Sequence, residues 1–120
     1  MHTVPYPLAF ALTLLVELPL YTVALTAVGR VPAGRALAAG TAVNCATHPL
    51  LWWFLSRFAA SAPAACWTAF ALAEAVVCLV EALLVRALVG PTRLAPVPAL
   101  TTALTANAAS VLAGLLLTAR

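Results

Sequence analysis

The chain has 120 residues, of which 65% are apolar and 8% charged, with a formal net charge of +3 and a mean hydropathy of +1.09. A soluble domain of this size covers its surface with roughly a quarter of its residues charged, so the composition excludes a water-exposed globule and makes a lipid bilayer the expected solvent and partner. The positive charge comes from six arginines scattered at loops and ends, as anchoring in a membrane requires, and nucleic acid is not an expected partner. Lys, Asp, Ile and Gln are absent, and the reliance on residues with GC-rich codons points to a bacterial source. Cys45, Cys66 and Cys78 form no CxxC pair and sit in apolar stretches, where free cysteine packs as a small hydrophobe.

The first helix is predicted over 7–28. It lacks a basic leader and is interrupted by Glu17 and Pro19, which argues for a retained span over a cleaved signal peptide. Gly29-Arg30-Val31-Pro32 breaks it, and a second helix follows over 33–55. Ser61-Ala62-Pro63 leads into a third over 64–89, and Gly90-Pro91-Thr92, continuing to Pro96 and Pro98, leads into a fourth over 98–118. Each segment is near the ~20 residues that cross a bilayer. The expected fold is therefore an all-α integral membrane protein, a four-transmembrane-helix bundle forming a single domain over residues 1–120.

Arg30, Arg35, Arg86 and Arg93 lie on the side of the first and third loops, against Arg57 and Arg120 on the other. The positive-inside rule places both termini outside the cytoplasm, in a plasma (inner) membrane. Tyr6, Trp52, Trp53, Phe54, Phe58 and Trp67 gather at the opposite boundary, where an interfacial aromatic belt is expected.

All of the acidic residues, Glu17, Glu74 and Glu81, fall inside predicted spans. A carboxylate in hydrocarbon costs a few kcal/mol and normally faces the bundle interior with a partner. Counted at 1.5 Å per residue from the first and third loops, Glu17, Asn44, Glu81 and Asn107 lie at depths of about 14 to 18 Å, with His48 and Glu74 roughly 6 Å further in. Thr13, Glu17 and Tyr21 share one helix face; so do Thr41, Asn44 and His48, and Glu74 and Glu81 are separated by two turns. Such stripes predict a shared interior pocket, with Glu17, Asn44, His48, Glu74, Glu81 and Asn107 as its binding residues and Tyr21, Thr41, Thr47 and Ser110 in support.

Pro19 and Pro49 stand beside Glu17 and His48 and predict broken helices at the polar level. Ala106, Ser110 and Gly114, Ala65, Ala69 and Ala73, and Ala36 with Gly40 predict close helix contacts. Thr22, Gly40, Thr41, Thr101 and Thr102 on the cytoplasmic side, against Leu50 to Phe54 and Leu115 to Leu117 outside, predict a site that is wetter from inside and plugged outside. The halves also align: Val16-Glu17 and Val80-Glu81 each lead through a glycine-containing loop to Asn44-x-x-Thr47 and Asn107-x-x-Ser110. This is the pattern of two parallel helical-hairpin repeats related by an axis along the membrane normal.

Three functions are compatible with these residues. A carboxyl and imidazole cluster at mid-bilayer suits binding and translocation of a proton, a cation or a small cationic substrate. His48 with Glu17, Glu74 and Glu81 could ligate a divalent metal in an intramembrane metal-dependent enzyme, although no HExxH motif is present. A non-catalytic subunit, working as a homo-oligomer or within a larger membrane complex, would use the polar groups for helix specificity alone. In size, helix number and a single Glu in helix one, the chain resembles the small multidrug-resistance transporters. That family's glycine motif in helix three is absent, and Glu74 and Glu81 share that span, so the family's function does not carry over.

Overall fold

The computed structural model describes residues 5–118 and is all-helical: α1 (Tyr6–Ala27), α2 (Ala33–Ser56), α3 (Pro63–Val89) and α4 (Pro96–Thr118). Arg120 lies outside the described residues. Proline sets the starts, in the first turn of α1 and of α3 and at the head of α4, where a missing N–H costs nothing. α3 stops at Gly90, whose φ of 104° is open to a residue without Cβ. α1 stops at a turn in which Arg30 takes a φ of 52°.

Each helix packs against two neighbours, α1 on α2 and α4, and α3 on α2 and α4. The result is a four-helix ring with α1 facing α3, and α2 facing α4, across its axis. Its longest dimension is 44 Å, comparable with the ~40–45 Å of a bilayer including headgroups.

Three helices, α1, α3 and α4, are long and apolar enough to cross a membrane. α2 is long enough at 24 residues but falls short in apolarity, because Asn44, Thr47, His48 and Pro49 interrupt it. Large apolar side chains cover the outside of the ring; Leu15, Val23, Leu72, Leu83, Val97, Leu112 and Leu116 are all exposed.

The buried core sits at the end formed by the first and third loops, and comprises Tyr21, Leu25, Val31, Ala36, Ala39, Val43, Ala82, Val85, Val89, Leu94, Ala99, Ala103 and Ala106. Gly40 belongs to this packed end: a Cβ there would lie 3.2 Å from Tyr21 Cβ and 3.2 Å from Leu18 Cδ2. Gly114 has open space around it and Ala65 is exposed, so the small-residue ridges on α3 and α4 are only partly used. The expectation of broken helices is corrected as well. α1 runs through Pro19 and α2 through Pro49, and both prolines are exposed on the outside of the ring, away from the polar interior.

Burial keeps the same register in the two halves. In α1 the buried positions are Glu17, Tyr21 and Leu25; in α3 Glu81, Val85 and Val89 are buried at the same spacing. α2 buries Ala36, Gly40, Val43 and Asn44, and α4 buries Ala99, Ala103, Ala106 and Asn107, again at one spacing.

Candidate functional site

The polar residues of all four helices meet where the packed core ends. Glu81 is 1% exposed and is held from three directions. Tyr21 Oη of α1 donates to its Oε2 at 2.6 Å, Asn107 Nδ2 of α4 donates to the same oxygen at 2.7 Å, and Thr47 Oγ1 of α2 lies 2.8 Å from Oε1. A carboxyl in a low-dielectric interior is tolerated when its lone pairs are met in this way. Asn107 also donates to Ala103 O, and Asn44 Nδ2 donates to Gly40 O one turn back in its own helix.

Glu17 is equally buried, at 1%, but is bonded on one side only. Ser110 Oγ of α4 lies 2.7 Å from its Oε1, whereas Oε2 is buried and has no partner. An unmet acceptor of this kind costs about 1–3 kcal/mol or more.

Both hydroxyls have a second acceptor in reach. Thr47 Oγ1 is 3.1 Å from Val43 O, and Ser110 Oγ is 3.1 Å from Asn107 O. A hydroxyl carries one proton. Facing a carboxylate, it donates to the carboxylate; facing a carboxylic acid, it accepts from the acid and turns its proton onto the helix carbonyl. Each Glu–hydroxyl pair therefore accommodates the carboxyl with or without a proton, and needs no movement of the backbone.

Above this level lies a cavity of about 650 Å³ that runs to the end of the ring closed by the α2–α3 loop; Glu17, Asn44, His48, Glu74, Glu81 and Asn107 all contribute to its wall, together with Thr13, Thr47 and Ser110. Glu74 is partly buried and makes no hydrogen bond among the described residues. Further along, the wall is apolar and aromatic, with Trp52, Phe58, Trp67 and Phe70. Arginine contributes nothing to the lining among the described residues.

Several expectations change here. The open side, where the cavity lies, is the α2–α3 loop end, and the plugged side is the packed end with Leu25, Val31, Val89 and Leu94, the reverse of the expected arrangement. Thr41 is not part of the site: its hydroxyl donates to Leu37 O of its own helix at 2.8 Å, and Thr102 does the same to Pro98 O at 2.7 Å, the usual way for a hydroxyl to hide in apolar surroundings. Tyr21 lies beneath the cavity, where it acts through Glu81. His48 is turned toward α1, with Nε2 3.2 Å from Thr13 Oγ1 and its ring centroid 4.9 Å from Phe10 and 5.6 Å from Tyr6. Its Nδ1 is buried without a partner. The metal reading of Glu17, His48, Glu74 and Glu81 needs at least three ligands around one point; among the described residues no group of three or more His, Cys, Asp or Glu is arranged to hold a metal ion.

The aromatic wall is what sequence reasoning assigned elsewhere. Trp52, Phe58 and Trp67 are near a bilayer boundary by depth, and sequence depth alone does not distinguish a side chain facing headgroups from one facing the mouth of a cavity. Comparison with protein-family models, with curated proteins and with solved structures finds no match for this chain.

Proposed function

We propose that the chain is a four-span integral protein of the plasma (inner) membrane that binds a proton or small cation at a buried carboxyl site and carries it across the bilayer. The apolar exterior supports insertion, since exposed Leu and Val are at home in lipid and costly in water. α2 joins as the fourth span on the ground that its polar side chains Asn44 and Thr47 are buried inside the ring. The arginine distribution supports an orientation with both termini, and the cavity mouth, on the non-cytoplasmic face.

The observation that carries the functional reading is Glu17: a carboxyl 1% exposed, in the wall of the cavity, with one oxygen lacking any donor. Intramembrane carboxyls kept at such expense line ion and proton pathways. The hydroxyl pairing gives the site a way to take up and release a proton without rebuilding its surroundings.

The matching burial register of the halves, and the crosswise pairing of Glu17 with Ser110 and Glu81 with Thr47, support an internal duplication into parallel hairpins. Under that relation the two carboxyl–hydroxyl pairs are equivalents, and the added donors Tyr21 and Asn107 are what make Glu81 different. Glu81 favours a second reading for itself alone: with every oxygen occupied, it serves as a structural tie, as it would in a non-catalytic bundle subunit.

The test is flux in proteoliposomes. A proton or cation gradient should dissipate faster with the protein than in empty vesicles, and Glu17→Gln should reduce the rate roughly tenfold or more, as expected for loss of an essential carrier group. Wild-type flux in Glu17→Gln and Glu74→Gln would favour the non-catalytic subunit.

A further inference from the structure

Resting on the reading of the ring as membrane-spanning, we propose that its packed end is a docking site for an anionic phospholipid, and that the preferred headgroup carries two phosphates. Arg30, Arg35, Arg86 and Arg93 all lie at this end, on the first and third loops and the helix termini beside them. Arg30, Arg35 and Arg93 are exposed and Arg86 is partly buried. Asp is absent from the chain, and Glu17, Glu74 and Glu81 stand inside the helices, away from this end. The guanidinium groups therefore gather with no Asp or Glu of their own chain to neutralise them.

Backbone carbonyls hold this charge in place. Arg35 Nη2 of α2 donates to Leu88 O of α3 at 3.4 Å, Arg93 Nη1 of the third loop to Arg30 O of the first at 3.3 Å, and Arg86 Nε of α3 to Leu94 O at 2.9 Å. The contacts of Arg35 and Arg93 join the α1–α2 hairpin to the α3–α4 hairpin. A guanidinium has several N–H donors, so each arginine keeps most of them for a ligand. Its tether removes part of the ordering cost that a free side chain meets on binding.

The charge comes in two groups, Arg30 and Arg35 from one hairpin and Arg86 and Arg93 from the other. Arginine meets phosphate oxygens with paired donors, and a headgroup with two phosphates can engage both hairpins at once. The choice of a lipid over a soluble phosphate rests on the collar beside the arginines: Val28, Leu37, Leu88 and Val97 are all exposed, a surface that acyl chains cover at less cost than water. Basic clusters between helices on the cytoplasmic side suit such headgroups, and the proposed orientation puts this end there.

The experiment is native mass spectrometry of the full chain released from neutral detergent and titrated with cardiolipin, which has two phosphates, with phosphatidylglycerol and with phosphatidylcholine. Cardiolipin should bind first, at roughly fivefold or more higher affinity than phosphatidylglycerol, with phosphatidylcholine weakest. Arg35→Gln and Arg93→Gln should each weaken it roughly fivefold. Arg30→Gln removes the same charge from a guanidinium that holds no carbonyl among the described residues, and should do the same even where loss of a tether prevents folding. Arg57→Gln, at the opposite end where Arg57 lies 4.6 Å from the Trp53 ring, should leave binding unchanged. Equal affinity for the three lipids, or an equal loss in Arg57→Gln, overturns the proposal. Displacement of cardiolipin by inorganic phosphate, where chloride of the same ionic strength does not displace it, overturns the choice of a lipid. Insertion is read separately, by resistance of the chain to alkaline extraction from proteoliposomes: an extracted chain removes the spanning reading, whereas an inserted chain without lipid preference removes this site alone.

Discussion

Glu17 and Glu81 are the same residue type at comparable depth, and their neighbours separate their roles. Glu81 receives Tyr21, Thr47 and Asn107; Glu17 has Ser110 and an oxygen left over. Hydrogen-bond counting predicts how each tolerates change. In Glu81→Gln the amide oxygen accepts from Tyr21 and Asn107, and the amide nitrogen donates to Thr47, which turns to Val43 O, so thermal stability in detergent should stay within about 1 kcal/mol of wild type. Glu81→Ala strands the Tyr21 hydroxyl in a buried site and opens a cavity, and should cost about 2–5 kcal/mol. Tyr21→Phe removes one donor from an oxygen that keeps Asn107, for about 1 kcal/mol. An Ala variant as stable as the Gln variant would show that Glu81 ties nothing together.

The residue scale is also where the sequence was most and least informative. Acid residues in an apolar chain are conspicuous, so Glu17, Glu74 and Glu81, and the polar residues Asn44, Asn107, Thr47 and Ser110 at the same level, stand out in the sequence alone. Which of them pair is not legible, because the choice depends on helix rotation by a fraction of a turn. Thr41 and Thr47 illustrate this: they lie on the same helix, yet one bonds its own backbone and the other reaches Glu81.

At the scale of helices, the four elements follow from their punctuation, and each observed end lies within two residues of expectation. Prolines in the first turns and Gly90 at the close of α3 explain that agreement. The prolines inside helices misled: Pro19 and Pro49 suggested breaks, but each sits on the outer face, away from the interior contacts. Packing makes a prediction of its own. Gly40→Val would drive a side chain into Tyr21 and Leu18 at the α1–α2 contact, and overpacking of this kind costs about 1–3 kcal/mol. Gly114→Ala meets open space and should leave the melting temperature unchanged within error. A destabilised Gly114→Ala beside an unaffected Gly40→Val would mean that the close approach of the ring lies at the other end.

For the whole molecule, composition points to lipid as the solvent, and the structure has three helices long and apolar enough to cross a membrane. The polarity of the interior was legible only in part, because the side chains that close one end, Tyr21, Leu25, Val85, Val89 and Leu94, are no more apolar than those that line the other. What closes the first is depth of interlock: Tyr21 crosses the axis to Glu81 at 2.6 Å and Gly40 lets α1 and α2 approach, whereas at the α2–α3 end the helices leave a cavity. The proposed orientation predicts the outcome of cysteine accessibility in intact cells. With Cys45, Cys66 and Cys78 replaced by Ala, Ser61→Cys should react with a membrane-impermeant maleimide from outside, and Thr92→Cys only after permeabilisation. The opposite pattern would invert the topology and turn the cavity mouth to the cytoplasm.

The central claim is that Glu17, through its unpartnered oxygen, is the carboxyl that exchanges a proton or cation with the cavity, while Glu81 holds the bundle together. Infrared difference spectroscopy of the membrane-embedded protein, stepped in pH or titrated with a cation, reads the carboxyl C=O stretch directly. The band change seen in wild type should be lost in Glu17→Gln and kept in Glu81→Gln; a band that persists without Glu17 and vanishes without Glu81 would contradict the assignment.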